Sequence, residues 1–155
     1  MKIRIEIDNT VCEDEVVIKC RQITGSIRKI ERFISEEASG APNITLYKNN
    51  EEYFLPLDGI LFFETGGDFV FAHTADDAFR VKLKLFELED ILSPHSFARI
   101  SKSAIININR ILSIDRNISS ASLIQFYKSH KQVYVSRSYY KNLRQRLDER
   151  SHYEI

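Results

Sequence analysis

The side chains with chemistry to offer are cations and hydroxyls gathered late in the chain. Between residues 97 and 146 stand Arg99, Lys102, Arg110, Arg116, Lys128, Lys131, Arg137, Lys141, Arg144 and Arg146, and the only acid among them is Asp115. Two stretches mix these cations with serine: "RISKS" at 99–103 and "SRSYYK" at 136–141. Lys and Arg donate to phosphate oxygens and to guanine O6 and N7, and Ser donates or accepts at either, so these residue types suit backbone and base contacts on a nucleic acid. Clustered cations also gain by displacing the counterions condensed on a duplex, which needs local rather than net positive charge.

Net charge is in fact zero, with 22 Lys and Arg against 22 Asp and Glu. That neutrality hides a gradient. Residues 1–44 are balanced, whereas 45–96 set only Lys48, Arg80, Lys82 and Lys84 against Glu51, Glu52, Asp58, Glu64, Asp68, Asp76, Asp77, Glu87, Glu89 and Asp90. Two readings are open: the acidic and basic stretches neutralise each other across the fold through weak surface pairs, or the basic stretch faces a polyanion. Nucleic acid is favoured over an anionic membrane, because no basic helix carries Trp, Phe and Leu opposite its charges.

Other chemistries find no support. Cys12 and Cys20 belong to no CxxC pair and to no Cys–His spacing typical of zinc, and read as reduced thiols in a local core. His73, His95, His130 and His152 are scattered singly. "TGGD" at 65–68 lacks the Lys and helix that follow a phosphate-binding loop, and no nucleophile–base arrangement is recognisable. A protein without catalytic activity, metal or cofactor is expected.

At 155 residues, 43% of them hydrophobic, the chain can form one ordinary domain and a small appendage. No run of 18 apolar residues occurs, and the start "MKIRIEIDNT" alternates charge with isoleucine, so a cytoplasmic protein is expected. "KIRIEID" reads as a half-buried strand that could pair with "EVVIKC". Ile23, Ile27, Ile30 and Ile34 then align on one helical stripe, to be covered by that ribbon, by the main domain or by a second copy. "ASGAPN" at 38–43 reads as a linker.

Beyond it, "EEYFLPL", "GILFFE", "DFVFAHT", "FRVKLKL", "AIINI", "ILSID", "SLIQFY" and "QVYVS" read as strands. "TGGD" makes a turn between the second and third, and "KSHK" a hairpin between the last two. "FELEDIL" is a short helix, and "SYYKNLRQRLDER" a closing one with Ser136 or Ser138 as its N-cap. The fold class is therefore mainly β, α+β overall.

"DGILFFETGGDFVFAHT", "KLFELEDIL", "FARISKSAIININRILSID" and "VYVSRSYYKNL", in that order, resemble the LytTR family of bacterial DNA-binding domains from about Thr45 to Leu147. The resemblance implies an elongated antiparallel multi-sheet domain over 45–150 that inserts loops, not a recognition helix, into successive major grooves of promoter DNA. Its three DNA-facing loops fall on Asp68 with Phe69, on Arg99, Ser101, Lys102 and Ser103, and on Arg137, Ser138 and Lys141. Family members often carry His and Arg or Asn where this chain has Ser101 and Lys102, and often a second Arg where it has Ser138; Lys102 still donates to guanine O6 and N7, while Ser138 is short. Residues 1–44 resemble the strand–helix extension of stand-alone regulators without a receiver domain, implying control by homodimerisation or by a membrane protein encoded nearby.

Bland roles stand beside these. Asp68 could simply complete its turn, Lys102 be a solvated lysine, and Arg137 pair with Asp115 or a middle-segment acid. Tyr139 and Tyr140 fit packing better than base stacking, and Asn107 and Asn109 fit backbone hydrogen bonding at a strand end. The alternative for the whole protein is an interaction module whose basic half docks an acidic partner.

Overall fold

A computed structural model describes residues 4–8, 10, 15–38, 42–115 and 121–150; Cys12, Arg116 and His152 lie outside them. The chain divides into two compact units, residues 1–39 and 40–155.

In the first unit a helix, α1 (Gly25–Ala38), follows Thr24, whose hydroxyl accepts from Ile27 N at 3.3 Å as an N-cap. Ile27, Ile30 and Ile34 are half-buried and Ile23, ahead of the helix, is exposed. The expected strands are not formed at 4–8 or 15–20. Ile5 and Ile7 are 86% and 90% exposed: a period-two pattern has no hydrogen-bonded ladder without a partner strand, and a lone two-stranded ribbon is marginal in water. Cys20 is exposed, against its expected place in a local core.

The second unit is mostly β. In chain order it runs β1 (Asn43–Lys48), β2 (Glu51–Pro56), β3 (Phe62–Gly66), β4 (Phe69–His73), β5 (Ala78–Val81), α2 (Leu85–Ile91), β6 (Phe97–Ser101), β7 (Ala104–Asn107), β8 (Ile111–Asp115), β9 (Ser122–Phe126), β10 (Gln132–Val135) and α3 (Arg137–Arg150). A seven-stranded sheet has the order β2-β1-β5-β4-β3-β7-β6, and a three-stranded one β10-β9-β8; all pairings are antiparallel.

Alternation along the strands of the large sheet feeds two cores. Phe63, Val70, Ala72, Phe79, Val81, Phe97 and Ile105 face one side, where Leu85, Leu88 and Leu92 of the α2 region cover them. Phe62, Ala98, Ile100, Ala104 and Ile106 face the other, against Ile124, Phe126, Val133 and Val135 of the small sheet and Leu143 of α3. The second unit thus stacks helix, large sheet, and small sheet with helix in layers.

Two strands were not anticipated, β1 and β6. "FRVKLKL" is a strand only as far as Val81, and Leu85 already opens α2. Ser136 precedes α3 and its carbonyl accepts from Tyr139 N and Tyr140 N, in keeping with its expected place at the helix start. Asn107 is buried, donating from Nδ2 to Ile60 O (2.9 Å) and accepting from Asn109 N (3.0 Å), the expected strand-end role.

Candidate nucleic-acid interface

Three connections meet at one end of the large sheet. The first joins β3 to β4 through Gly67 and Asp68, with Gly66 paired to Phe69. Gly67 has φ +61° and Asp68 does not turn positive, the sign pattern of a type II′ hairpin, for which glycine is the low-cost residue. Asp68 is exposed at the tip.

The second connection, Lys102–Ser103, joins β6 to β7 between the paired Ser101 and Ala104. Neither residue has positive φ, so side chains hold the turn instead. Ser103 N donates to Ser101 Oγ at 3.1 Å, and the two hydroxyls lie 3.2 Å apart. Arg99 braces it from below: Nε donates to Ser101 O (2.7 Å), Nη2 to Lys102 O (2.6 Å) and Nη1 to Glu89 Oε2 of α2 (3.0 Å). With its side chain only 18% exposed, Arg99 has all three guanidinium nitrogens engaged inside the protein, where sequence reasoning had counted it among the DNA contacts. Lys102 itself is exposed, and among the described residues no carboxylate pairs with it.

The third connection is the entry to α3. Ser136 N donates to Ile100 O at 3.0 Å, which pins the helix start beside β6. Thr65 N donates to Ser103 O at 2.9 Å, which pins the second turn beside the end of β3. These two backbone bonds bring the three predicted segments together. Arg137, Ser138 and Lys141 are exposed on the first turns of α3, at the positive end of its dipole, and Arg137 and Lys141 share a face as an i,i+4 pair. Tyr139 and Tyr140 pack against the second core rather than facing out.

Most other cations of the basic stretch are tied to the protein. Arg110 Nε donates to Asp58 O (2.6 Å), Arg146 Nη1 to Pro94 O (3.0 Å) and Phe97 O (2.7 Å), Lys131 Nζ to Asp77 O, and Arg144 pairs with Asp148 (2.9 Å). Lys102 and Lys141 carry no such tie among the described residues. Sequence reasoning also overlooked Arg80 and Lys82, which sit exposed on β5 and just after it at this same end.

Such a β-rich body, presenting three short polar segments from one sheet end, defines a loop-presenting domain with no helix-turn-helix: among the described residues no two helices follow each other directly. The family model of the LytTr DNA-binding domain matches residues 50–148, and the chain belongs to that family. It is 28% identical over 151 residues to uncharacterized HTH-type transcriptional regulators of Staphylococcus aureus strains NCTC 8325 and COL, covering 95% of this chain and 98% of each relative. Among solved structures it is similar to one described as the LytTr DNA-binding domain of a methyl-accepting/DNA response regulator from Bacillus cereus. The TM-score is 0.64 and the identity 26%, over 70% of this chain and 98% of that one. Among the described residues no helix is long and apolar enough to cross a membrane.

Proposed function

We propose that this protein is a sequence-specific, double-stranded DNA-binding transcription regulator without catalytic activity, which sets its three convergent segments into successive major grooves of promoter DNA. Lys102, Arg137 and Lys141 anchor phosphates; Lys102 and Ser138, with Asp68 and Ser101, read base edges. Arg99 and Ser103 act through the second turn by fixing where Lys102 points. Residues 1–44 serve homodimerisation or contact with a regulatory membrane protein, and the chain works in the cytoplasm. The supporting observation is the pair of backbone bonds, Thr65 N to Ser103 O and Ser136 N to Ile100 O, that gather the segments around Lys102, which no carboxylate pairs among the described residues.

The test is binding to duplex from upstream of the protein's own coding sequence, against a scrambled duplex. Lys102→Ala is expected to weaken operator binding by about 1–3 kcal/mol and to relax preference at one base pair, with stability changed by no more than about 0.5 kcal/mol. Equal losses on both duplexes would reduce Lys102 to a phosphate contact. A wild-type protein with no sequence preference and no steep salt dependence would favour the acidic-partner module instead.

A further inference from the structure

The first turn poses an electrostatic problem, because its one charged side chain is Asp68, an acid that a phosphate backbone repels. A cation lies beside it all the same. Register places Tyr47, Arg80, Phe71 and Glu64 in one row across β1, β5, β4 and β3, on the sheet face turned away from Val70, Ala72, Phe79 and Val81. On that face the Arg80 guanidinium carbon sits 3.6 Å from the centre of the Phe69 ring, and Lys82 Nζ 4.0 Å from that of Tyr47. The Phe71 ring closes over Gly66, where a Cβ would lie 3.0 Å from it and would push the ring by a few tenths of an ångström. Cations and rings thus interleave next to the Gly67–Asp68 tip, on a part of the face that the small sheet leaves exposed.

We propose that Arg80 and Lys82 form a second contact to the DNA backbone, beside the first turn and outside the three loop segments. The proposal rests on the reading above that this end of the sheet faces duplex DNA. Three observations carry it. First, neither cation has a carboxylate partner among the described residues, unlike Lys48, which pairs with Asp77 at the far end; Glu64, across β4, lies 3.6 Å from His73 Nε2 instead. Second, an Arg whose guanidinium carbon sits over a ring centre keeps N–H donors free for phosphate oxygens, which Arg can meet bidentately, and that ring contact lowers the freedom lost on binding. Third, Phe69 and Tyr47 have a ring face occupied by these cations, so the patch suits phosphates of a duplex rather than the stacked bases of a single strand. Two cations here also offset the repulsion from Asp68.

The test uses the full chain and fluorescence anisotropy on the upstream duplex and on a scrambled one, over a salt series. The double variant Arg80→Gln, Lys82→Gln is expected to lose roughly tenfold in affinity on both duplexes. Its slope of log affinity against log salt should be shallower by about 1.8, two phosphate contacts at ~0.9 each. The charge-retaining pair Arg80→Lys, Lys82→Arg should keep the wild-type slope, and decides the matter should the glutamine variant melt early. An unchanged slope in the glutamine variant while wild type still prefers its operator overturns this contact and leaves the regulator reading standing. A loss confined to the operator overturns it too, since a backbone contact is blind to sequence. Wild-type protein that binds neither duplex overturns both readings.

Discussion

At one end of the large sheet Asp77 draws in two lysines: Lys48 Nζ lies 2.5 and 2.6 Å from its carboxylate oxygens, and Lys131 donates to its backbone carbonyl. Ser129 adds a bond to Ala75 O at 2.9 Å, so the β9–β10 connection is laced to the β4–β5 turn. At the other end Lys102, Lys82 and Arg80 are exposed, and among the described residues no carboxylate pairs with any of them. Both ends are built from similar residue types. What differs is whether tertiary contacts supply an acid or carbonyl opposite each cation, and that separates an end whose charges hold the fold from an end whose charges are available to a polyanion.

Changes at the laced end are expected to alter stability and leave operator preference intact. The largest effect is expected for Phe126→Ala. Phe126 is buried, and its ring stacks on Phe62 at 5.4 Å, which stacks in turn on His73 at 4.2 Å. Removing it should cost about 3–5 kcal/mol in urea unfolding, while the protein that remains folded keeps the wild-type ratio of operator to scrambled affinity. A collapse of that ratio would show the two ends to be coupled.

His73 gives a pH-dependent version of the same comparison. Burial, with Lys131 adding to it, pushes its pKa down from 6.5 to about 4, although the Glu64 carboxylate 3.6 Å away favours the charged ring. Between those values the unfolded chain binds a proton that the folded chain does not, so stability rises with pH across this window. Acidifying from pH 7 to 4 should remove up to about 3 kcal/mol, and His73→Gln should flatten that limb of the profile. A variant with the wild-type slope between pH 6.5 and 4 would show that His73 is not the group responsible.

How far each region could be read in the sequence follows from where its signals lie. The two-residue turn at Gly67–Asp68 and the strands flanking it were legible because turn chemistry and alternation are local. "FARIS" hid β6 because Phe97, on the side that Arg99 and Ser101 continue, is buried in one core while Ala98 and Ile100 enter the other, which blurs the alternation. "NITLYK" did alternate, but it ran on from a Gly- and Pro-bearing stretch that resembled a linker. The site segments were located through their resemblance to a family, whereas the roles within them were not readable. Arg99 and Lys102 are the same kind of residue three positions apart; only Glu89, contributed by α2, and the two turn carbonyls distinguish brace from contact. Arg80 looked like the polar side of an ordinary strand because Phe69 and Tyr47, the rings that make its neighbourhood unusual, belong to other strands.

Asp77 allows the smallest and most selective probe of the laced end. The Lys48 ammonium, and after it the Ala78 N–H at 2.8 Å, hold its carboxyl below the ordinary 3.8. A carboxylate whose folded pKa is depressed stabilises the protein above its unfolded value, and that contribution disappears as pH falls through the lower folded value. The expected loss therefore lies below about pH 4, apart from the His73 window. It should be the lesser of the two, because Asp77 is 43% exposed and water screens the pair. Asp77→Asn should blunt acid unfolding below pH 4 and leave the limb between 6.5 and 4 unchanged, read as urea midpoints against pH. If DNA affinity at neutral pH moved as well, the lysines released at this end would have joined the polyanion surface, and the separation between the two ends would rest on Asp77 itself.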